Sequence, residues 1–224
     1  MQASEAEKPR IVILISGTGS NMAAIAEAIK TEESDSGIDA EIVGVISNRP
    51  NAGGLEKAQA MGLPTDLIDH TLYASRGEFD HALIRMIEDL KPDLVVLAGF
   101  MRILTADFTR YYEGRLLNIH PSLLPKYQGL NTHQRALEAG DDLHGVTVHF
   151  VTEELDGGPN AIQAIVPILD IDNAQQLQER VHAQEHIIYP IAVKWFCEGR
   201  LTMKGNDALL DNKVLPNTGV QLKS

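Results

Sequence analysis

Apolar and polar positions along this chain switch between two periods. Ile11–Ile15, Ile42–Ile46 and Leu94–Ala98 are short, nearly unbroken apolar runs rich in Val and Ile, the pattern of strands buried on both faces. Between them the spacing lengthens. Met22, Ile25, Ala26 and Ile29 fall at i, i+3, i+4 and i+7, and Phe79, Leu83, Ile87 and Leu90 also share one helical face. Ser75-Arg76-Gly77-Glu78 reads as a capping box that opens the second of these helices. Such alternation predicts an α/β fold: a doubly wound, mainly parallel sheet flanked by helices on both faces, with ligands outside the carboxyl ends of its strands.

The second half continues with a strand at Leu116–Ile119, an irregular stretch over Pro121–Asn131 and a short helix near His133–Ala139. Strands are expected near Val146–Val151 and Ile162–Val166. Asn173 with Gln176 caps a long C-terminal helix that ends near Gly199, and Pro190 is expected to kink it. Leu209–Leu210, Asp211–Asn212 and Lys213–Leu215 read as a final hairpin. The polar insert Thr31–Asp39 reads as a surface loop. One domain over 1–224 is expected, with lobes of approximately 11–110 and 111–205 and no linker.

Composition narrows the choice of partners. With 44% hydrophobic and 22% charged residues in 224, the chain has enough apolar material for a substantial core. No apolar run approaches the roughly 18 residues needed to cross a membrane. Met1–Arg10 is polar and Ile11–Ile15 is too short for a signal-peptide core. The single cysteine, Cys197, excludes an internal disulfide framework and suits a reducing, cytoplasmic compartment. Beside Trp195 and Phe196 it reads as a core thiol. A net charge of −12 without any basic cluster argues against nucleic acid. A small phosphorylated ligand remains compatible, because backbone N–H groups suffice to bind it.

Ser16-Gly17-Thr18-Gly19-Ser20-Asn21 joins the first strand to the first helix, where phosphates commonly sit. Met22 stands where a dinucleotide fingerprint needs its third glycine, and no Gly-Lys-Ser/Thr follows. The loop suits a single phosphate held by amides and a hydroxyl. It equally suits a tight turn with Asn21 or Ser20 as N-cap.

Asn118-Ile119-His120-Pro121 carries the chain's most unusual polar pair. Side chains at i and i+2 of a strand project together, ~7 Å apart, and Pro121 ends the ladder. Asp156-Gly157-Gly158-Pro159 brings a carboxylate on a turn after a later strand. Amide, imidazole and acid together can hold a developing oxyanion and move a proton. Singly, Asn118 reads as a turn residue, His120 as a satisfied core imidazole, and Asp156 as ordinary Asp-Gly turn chemistry.

The remaining histidines divide by position. His182-Ala183-Gln184-Glu185-His186 matches the H-x-x-E-H form of a zinc peptidase group, but a third ligand is wanting and Pro190 interrupts the helix. We read it as accidental. His149 alternates with Val148 and Phe150 as a half-exposed strand residue. His133 stands near a helix start and can face the site, while His70, His81 and His144 read as surface residues.

Four segments together, Ser16–Asn21, Ala98-Gly99-Phe100-Met101-Arg102-Ile103-Leu104, Asn118-Ile119-His120-Pro121-Ser122-Leu123-Leu124-Pro125 and Asp156–Pro159, closely resemble the folate-dependent formyltransferases. The glycine loop and Gln184-Glu185-His186 resemble their glycinamide ribonucleotide branch, and the likeness runs from about Ile11 to Leu201. It implies a formyltransferase-like fold whose first lobe binds phosphate and whose second binds folate and carries the chemistry. It implies 10-formyltetrahydrofolate as co-substrate, no metal, small-molecule partners, no membrane or nucleic acid, and a monomer or weak homodimer. Carried over by motif, Asn118, His120 and Asp156 are the catalytic set. Gly19, Ser20 and Asn21 match the phosphate loop, and His182, Gln184 and Glu185 match positions near the ribosyl-glycinamide. Arg76, Met101, Arg102, Ile103 and Leu104 match the folate side, with Asn118, Thr152, Glu153, Glu154, Leu155 and Asp156.

Two places depart from the pattern: Gln128 replaces a common proline before Gly129, and the Thr31–Asp39 insert is longer than usual. A tRNA-directed formyltransferase is disfavoured by the acidic charge and by the absence of room for an added RNA-binding domain. A formyltetrahydrofolate deformylase would be expected to carry an extra N-terminal domain. A non-catalytic nucleotide-binding module would leave Asn118 and His120 without a purpose.

Overall fold

The computed structural model describes residues 7–31 and 37–223. The apolar runs form the centre of an eight-stranded sheet. In chain order the elements are β1 (Arg10–Ile15), α1 (Ser20–Lys30), β2 (Glu41–Ser47), α2 (Gly53–Ala60), β3 (Thr65–Leu67), α3 (Arg76–Asp89), β4 (Leu94–Leu97) and α4 (Ala106–Tyr111). Then come β5 (Leu116–His120), α5 (Thr132–Glu138), β6 (Leu143–Phe150), β7 (Asn160–Pro167), α6 (Ala174–Cys197), β8 (Leu201–Lys204), β9 (Asp207–Leu210), β10 (Lys213–Val214) and β11 (Val220–Lys223). The sheet order is β11-β7-β6-β5-β4-β1-β2-β3. Only β6 runs against its neighbours, pairing antiparallel with β5 and β7.

Two apolar cores lie on opposite faces of this sheet, as a doubly wound fold requires. One packs Ile11, Ile13, Leu117, Val148 and Phe150 against Met22 and Ile25 of α1 and Leu177, Val181 and Ile188 of α6. The other packs Val12, Leu14, Val95 and Leu116 against Phe79, Leu83 and Ile87 of α3 and Phe108 of α4. Strand alternation therefore sends Asn118 and His120, in register with Leu116, to the α3–α4 face. Burying large aliphatic side chains on both faces supplies the stabilisation, at about 1.5–3 kcal/mol each before entropy.

Most of the expected elements form, and the exceptions have local causes. Helix α2 opens on Gly53-Gly54 and buries only Gly54 and Ala58, so it carries no periodic apolar face. Helix α6 keeps its helical course through Pro190, because Ile188, Tyr189, Ala192 and Val193 on either side are buried in one core. Its N-terminus carries both halves of the capping box between Asn173 and Gln176. The final hairpin turns at Asp211 and Asn212, whose φ values of 52° and 61° suit a primed two-residue turn. Strand β8 joins that hairpin as a third member, and β11 returns to pair in parallel with β7. Residues 32–36 of the polar insert lie outside the described residues, while Ile38 at its end is buried and donates its N–H to Ala28 O.

Candidate active site

Strand β5 ends at His120, and its polar pair meets two further groups on the same face. His120 is 7% exposed, with Nδ1 3.4 Å from Asp156 Oδ2. Its Nε2 lies 2.8 Å from the carbonyl oxygen of Tyr127. A carbonyl only accepts, so Nε2 carries a proton and donates it there. Any second proton, on Nδ1, would lie between ring and carboxylate.

Asp156 does not end a strand. It sits in the β6–β7 connection in the left-handed region at φ 50° and reaches back over β5. That strained backbone is fixed from outside: Gly129 donates its N–H to Asp156 Oδ2 at 2.9 Å, and Gln128 Nε2 donates to Asp156 O at 3.2 Å. Gln128, the departure from the expected proline, thus supplies a bond of its own.

His149 is the residue the sequence reading missed. It is 2% exposed rather than half exposed, and β5–β6 pairing sets it directly opposite Asn118. Its Nδ1 donates to Phe150 O at 2.9 Å. Nε2 is then a bare acceptor, and Asn118 Nδ2 donates to it at 3.2 Å. The amide is held with its NH2 toward His149, leaving one N–H uncommitted among the described residues. Burial pushes the His149 imidazole down to about 4, against the opposing pull of the Phe150 carbonyl and Asp156. Asp156 Oδ1 stands 3.8 Å from the same nitrogen. The signal for His149 was strand register, which one sequence does not display.

A second histidine pair lies behind His120. His144, read as a surface residue, is 1% exposed, and its Nε2 is 3.2 Å from His133 Nδ1. Burial pushes His144 down to about 4 and also lowers His133, which feels the charge of His120. Strand β6 begins at Leu143 rather than Val146, which carries His144 inside. His70 is half-buried against Asn48 O, while His81 is exposed.

At the carboxyl end of β1 the loop from Ser16 reaches α1. The N-cap is Gly19 in the left-handed conformation, and no side chain caps the helix. Ser20 and Asn21, expected as possible caps, turn instead to α6. Ser20 Oγ is 2.8 Å from His182 Nε2, and Asn21 Nδ2 donates to Glu185 Oε2 at 2.7 Å. Burial raises the Glu185 carboxyl above its ordinary range, against the pull of Asn21 and His182. His182 and Glu185 are thereby engaged with the loop, and among the described residues no cluster of three His, Cys, Asp or Glu could hold a metal ion. Gln184 lies between them, half-buried. Cys197 ends α6 with its thiol pushed up to about 12 by burial, which suits a packed thiol and no nucleophile.

The residues expected on the folate side divide. Met101 and Ile103 are 58% and 57% exposed, Leu104 packs on the α3–α4 core, and the Arg102 guanidinium stacks 4.4 Å above the Phe79 ring. Arg76 is exposed one turn before Phe79, at the start of α3. Glu153 pairs with Arg110 of α4, and Leu155 is exposed. Thr152 and Glu154 line a cavity of about 370 Å³ that also takes in Gln128, Asp156, Asn160 and Asn217.

Comparison with known proteins identifies the family. Residues 9–193 match the Formyl transferase family model. The chain is 51% identical over 209 residues to the phosphoribosylglycinamide formyltransferase of Escherichia coli, covering 93% of this chain and 97% of that one. It is 44% identical to the human trifunctional purine biosynthetic protein adenosine-3 over 90% of this chain and 20% of that one. A solved phosphoribosylglycinamide formyltransferase from Coxiella burnetii superposes with a TM-score of 0.91 at 49% identity, covering 96% of this chain and all of that one. The chain therefore belongs to the formyl transferase family, among its phosphoribosylglycinamide formyltransferases.

Proposed function

We infer that the protein transfers the formyl group of 10-formyltetrahydrofolate to the amine of phosphoribosylglycinamide, a step of purine biosynthesis. The observation that carries the chemistry is the convergence of Asn118, His120 and Asp156, with His120 Nδ1 3.4 Å from Asp156 Oδ2. The substrate amine attacks the formyl carbon. A C–N bond forms, the carbonyl electron pair moves to oxygen, and a tetrahedral intermediate results. The uncommitted Asn118 N–H is the first donor to that oxyanion. The His120–Asp156 contact is longer than the roughly 2.7–2.9 Å of a settled charge-assisted bond, which leaves an Nδ1 proton available to the intermediate. Asp156, by this reading, carries the proton from the attacking amine, through water, to the departing folate nitrogen as its bond to carbon breaks.

Gly19, Ser20 and Asn21 suit the substrate phosphate. They combine a helix N-terminus with a hydroxyl and an amide already within reach of α6. His182, Gln184 and Glu185 then face the ribosyl-glycinamide. Arg76, Met101–Leu104 and Leu155 face the folate, with no metal in the reaction. The experiment is an assay with 10-formyltetrahydrofolate that offers phosphoribosylglycinamide or water as acceptor. Formyl transfer to the amine should dominate, whereas release of formate at a comparable rate without the amine would point to a hydrolase.

A further inference from the structure

We propose that Ser16 and Asp80 are positioning residues that fix the two ends of the Met101–Leu104 segment, and so set the affinity for folate. The inference rests on the reading above that this segment faces folate. Ser16 is 5% exposed and follows β1 directly, as the first residue of the glycine loop. Its Oγ accepts the Met101 N–H at 2.7 Å and donates to Asn48 Oδ1 at 2.6 Å. Its own N–H donates to Gly99 O at 3.1 Å. At the far end Asp80 Oδ2 accepts the Thr105 N–H at 2.7 Å.

Asp80 is 1% exposed, and its other oxygen, Oδ1, is buried without a hydrogen-bond partner among the described residues. A half-satisfied buried carboxylate costs stability, and an apolar residue would avoid that cost. Its presence is better explained by what it holds. Between the two anchors Arg102 stacks on Phe79, while Met101 and Ile103 present apolar side chains outward. A short segment fastened at both ends loses little freedom when a ligand lands on it, so its affinity depends on the fastenings. Ser16 also makes the phosphate loop and this segment neighbours through a single side chain.

The test compares Ser16→Ala, Asp80→Ala and Asp80→Asn with Ile103→Ala in steady-state kinetics with both substrates. Amide hydrogen exchange at Met101 and Thr105 provides a readout that does not depend on folate. Ser16→Ala and Asp80→Ala should each raise the folate KM about tenfold. The phosphoribosylglycinamide KM should stay within about twofold, and amide protection should fall at the released end. Asp80→Asn retains an acceptor oxygen and should restore the folate KM, which a general loss of packing would not do. An unchanged folate KM in both alanine variants, or an equal rise in both KMs, overturns the proposal. If Ile103→Ala leaves folate binding unchanged as well, the folate-side reading itself fails. If Ile103→Ala weakens it while Ser16→Ala and Asp80→Ala do not, only the positioning inference fails. Should Ser16→Ala not fold, the two Asp80 variants decide the question.

Discussion

The corner around His120 and the glycine loop around Gly19, which we propose address the same substrate, are built in opposite ways. In the corner, His120, His149 and Asp156 are nearly all buried, and each is oriented by a bond to another group: Tyr127 O, Phe150 O and the Gly129 N–H. In the loop, Gly17 and Thr18 are exposed, Gly19 caps α1 with its backbone alone, and Ser20 and Asn21 make one bond each to α6. Where charge develops during a reaction, orientation must exist beforehand, and interlocked side chains provide it. Where a charged group only has to be held, a few N–H groups are enough. Substitutions in the corner should therefore lower turnover, and those in the loop should lower affinity.

The largest effect is expected from the corner's centre. His120→Ala and Asp156→Asn should each cut kcat by about 10²–10³, with circular dichroism unchanged. Turnover near that of the unmodified protein in either variant would remove the residue from the mechanism.

His149 ranks next because it holds the Asn118 amide by a hydrogen bond. His149→Ala frees the amide and should lower kcat about tenfold or more, while His149→Gln keeps an acceptor and should recover much of the loss. A pH measurement tests the same residue independently. Burial pushes the ring down to about 4, whereas an unfolded histidine titrates near 6.5. Between those values the unfolded chain binds a proton that the folded chain refuses. The stabilisation is complete above about pH 6.5 and is lost as pH falls toward 4. His144, also pushed down to about 4, acts in the same direction. Thermal midpoints measured at about pH 7 and about pH 4.5 should drop less in His149→Gln than in the unmodified protein. An identical drop would mean that His149 is not held neutral.

The two regions also differed in how far the sequence revealed them. Asn118 and His120 were legible as a pair because strand period alone places i and i+2 on one face. Asp156 was legible as a carboxylate on a turn, but its reach over β5 depends on a left-handed backbone that nothing local demands. His149 and His144 were misread because burial in β6 is decided by pairing with β5 and β7, which are distant in the chain. In the loop two readings of Ser20 and Asn21 stood open, phosphate binding and capping, and the structure overturns the second. Ser20 and Asn21 looked like caps, yet Gly19 takes that place and frees both for α6. The parallel sheet was plain from its apolar runs, whereas α2, with two glycines and no apolar face, had no period to find.

Within the loop the backbone should matter more than the side chains. Gly19 has φ 67°, and a Cβ there would come within 2.8 Å of Gly54 Cα and 3.1 Å of Met22 Cε. An alanine would have to move backbone against backbone as well as accept a left-handed conformation costing about 1–2 kcal/mol. Gly19→Ala should raise the phosphoribosylglycinamide KM about tenfold while leaving kcat at saturation within a small factor. A loss confined to kcat would instead place Gly19 with the chemistry.

Ser20→Ala is the mildest change. It deletes the hydroxyl 2.8 Å from His182 Nε2 but keeps the N–H at the start of α1. One neutral hydrogen bond is worth about 0.5–1.5 kcal/mol net, so the phosphoribosylglycinamide KM should rise only about threefold, with folate KM and kcat unmoved. If Ser20→Ala matched or exceeded Gly19→Ala, the phosphate would depend on the hydroxyl rather than on the backbone. The contrast between a loop built from amides and a corner built from side chains would then fail at its weaker end.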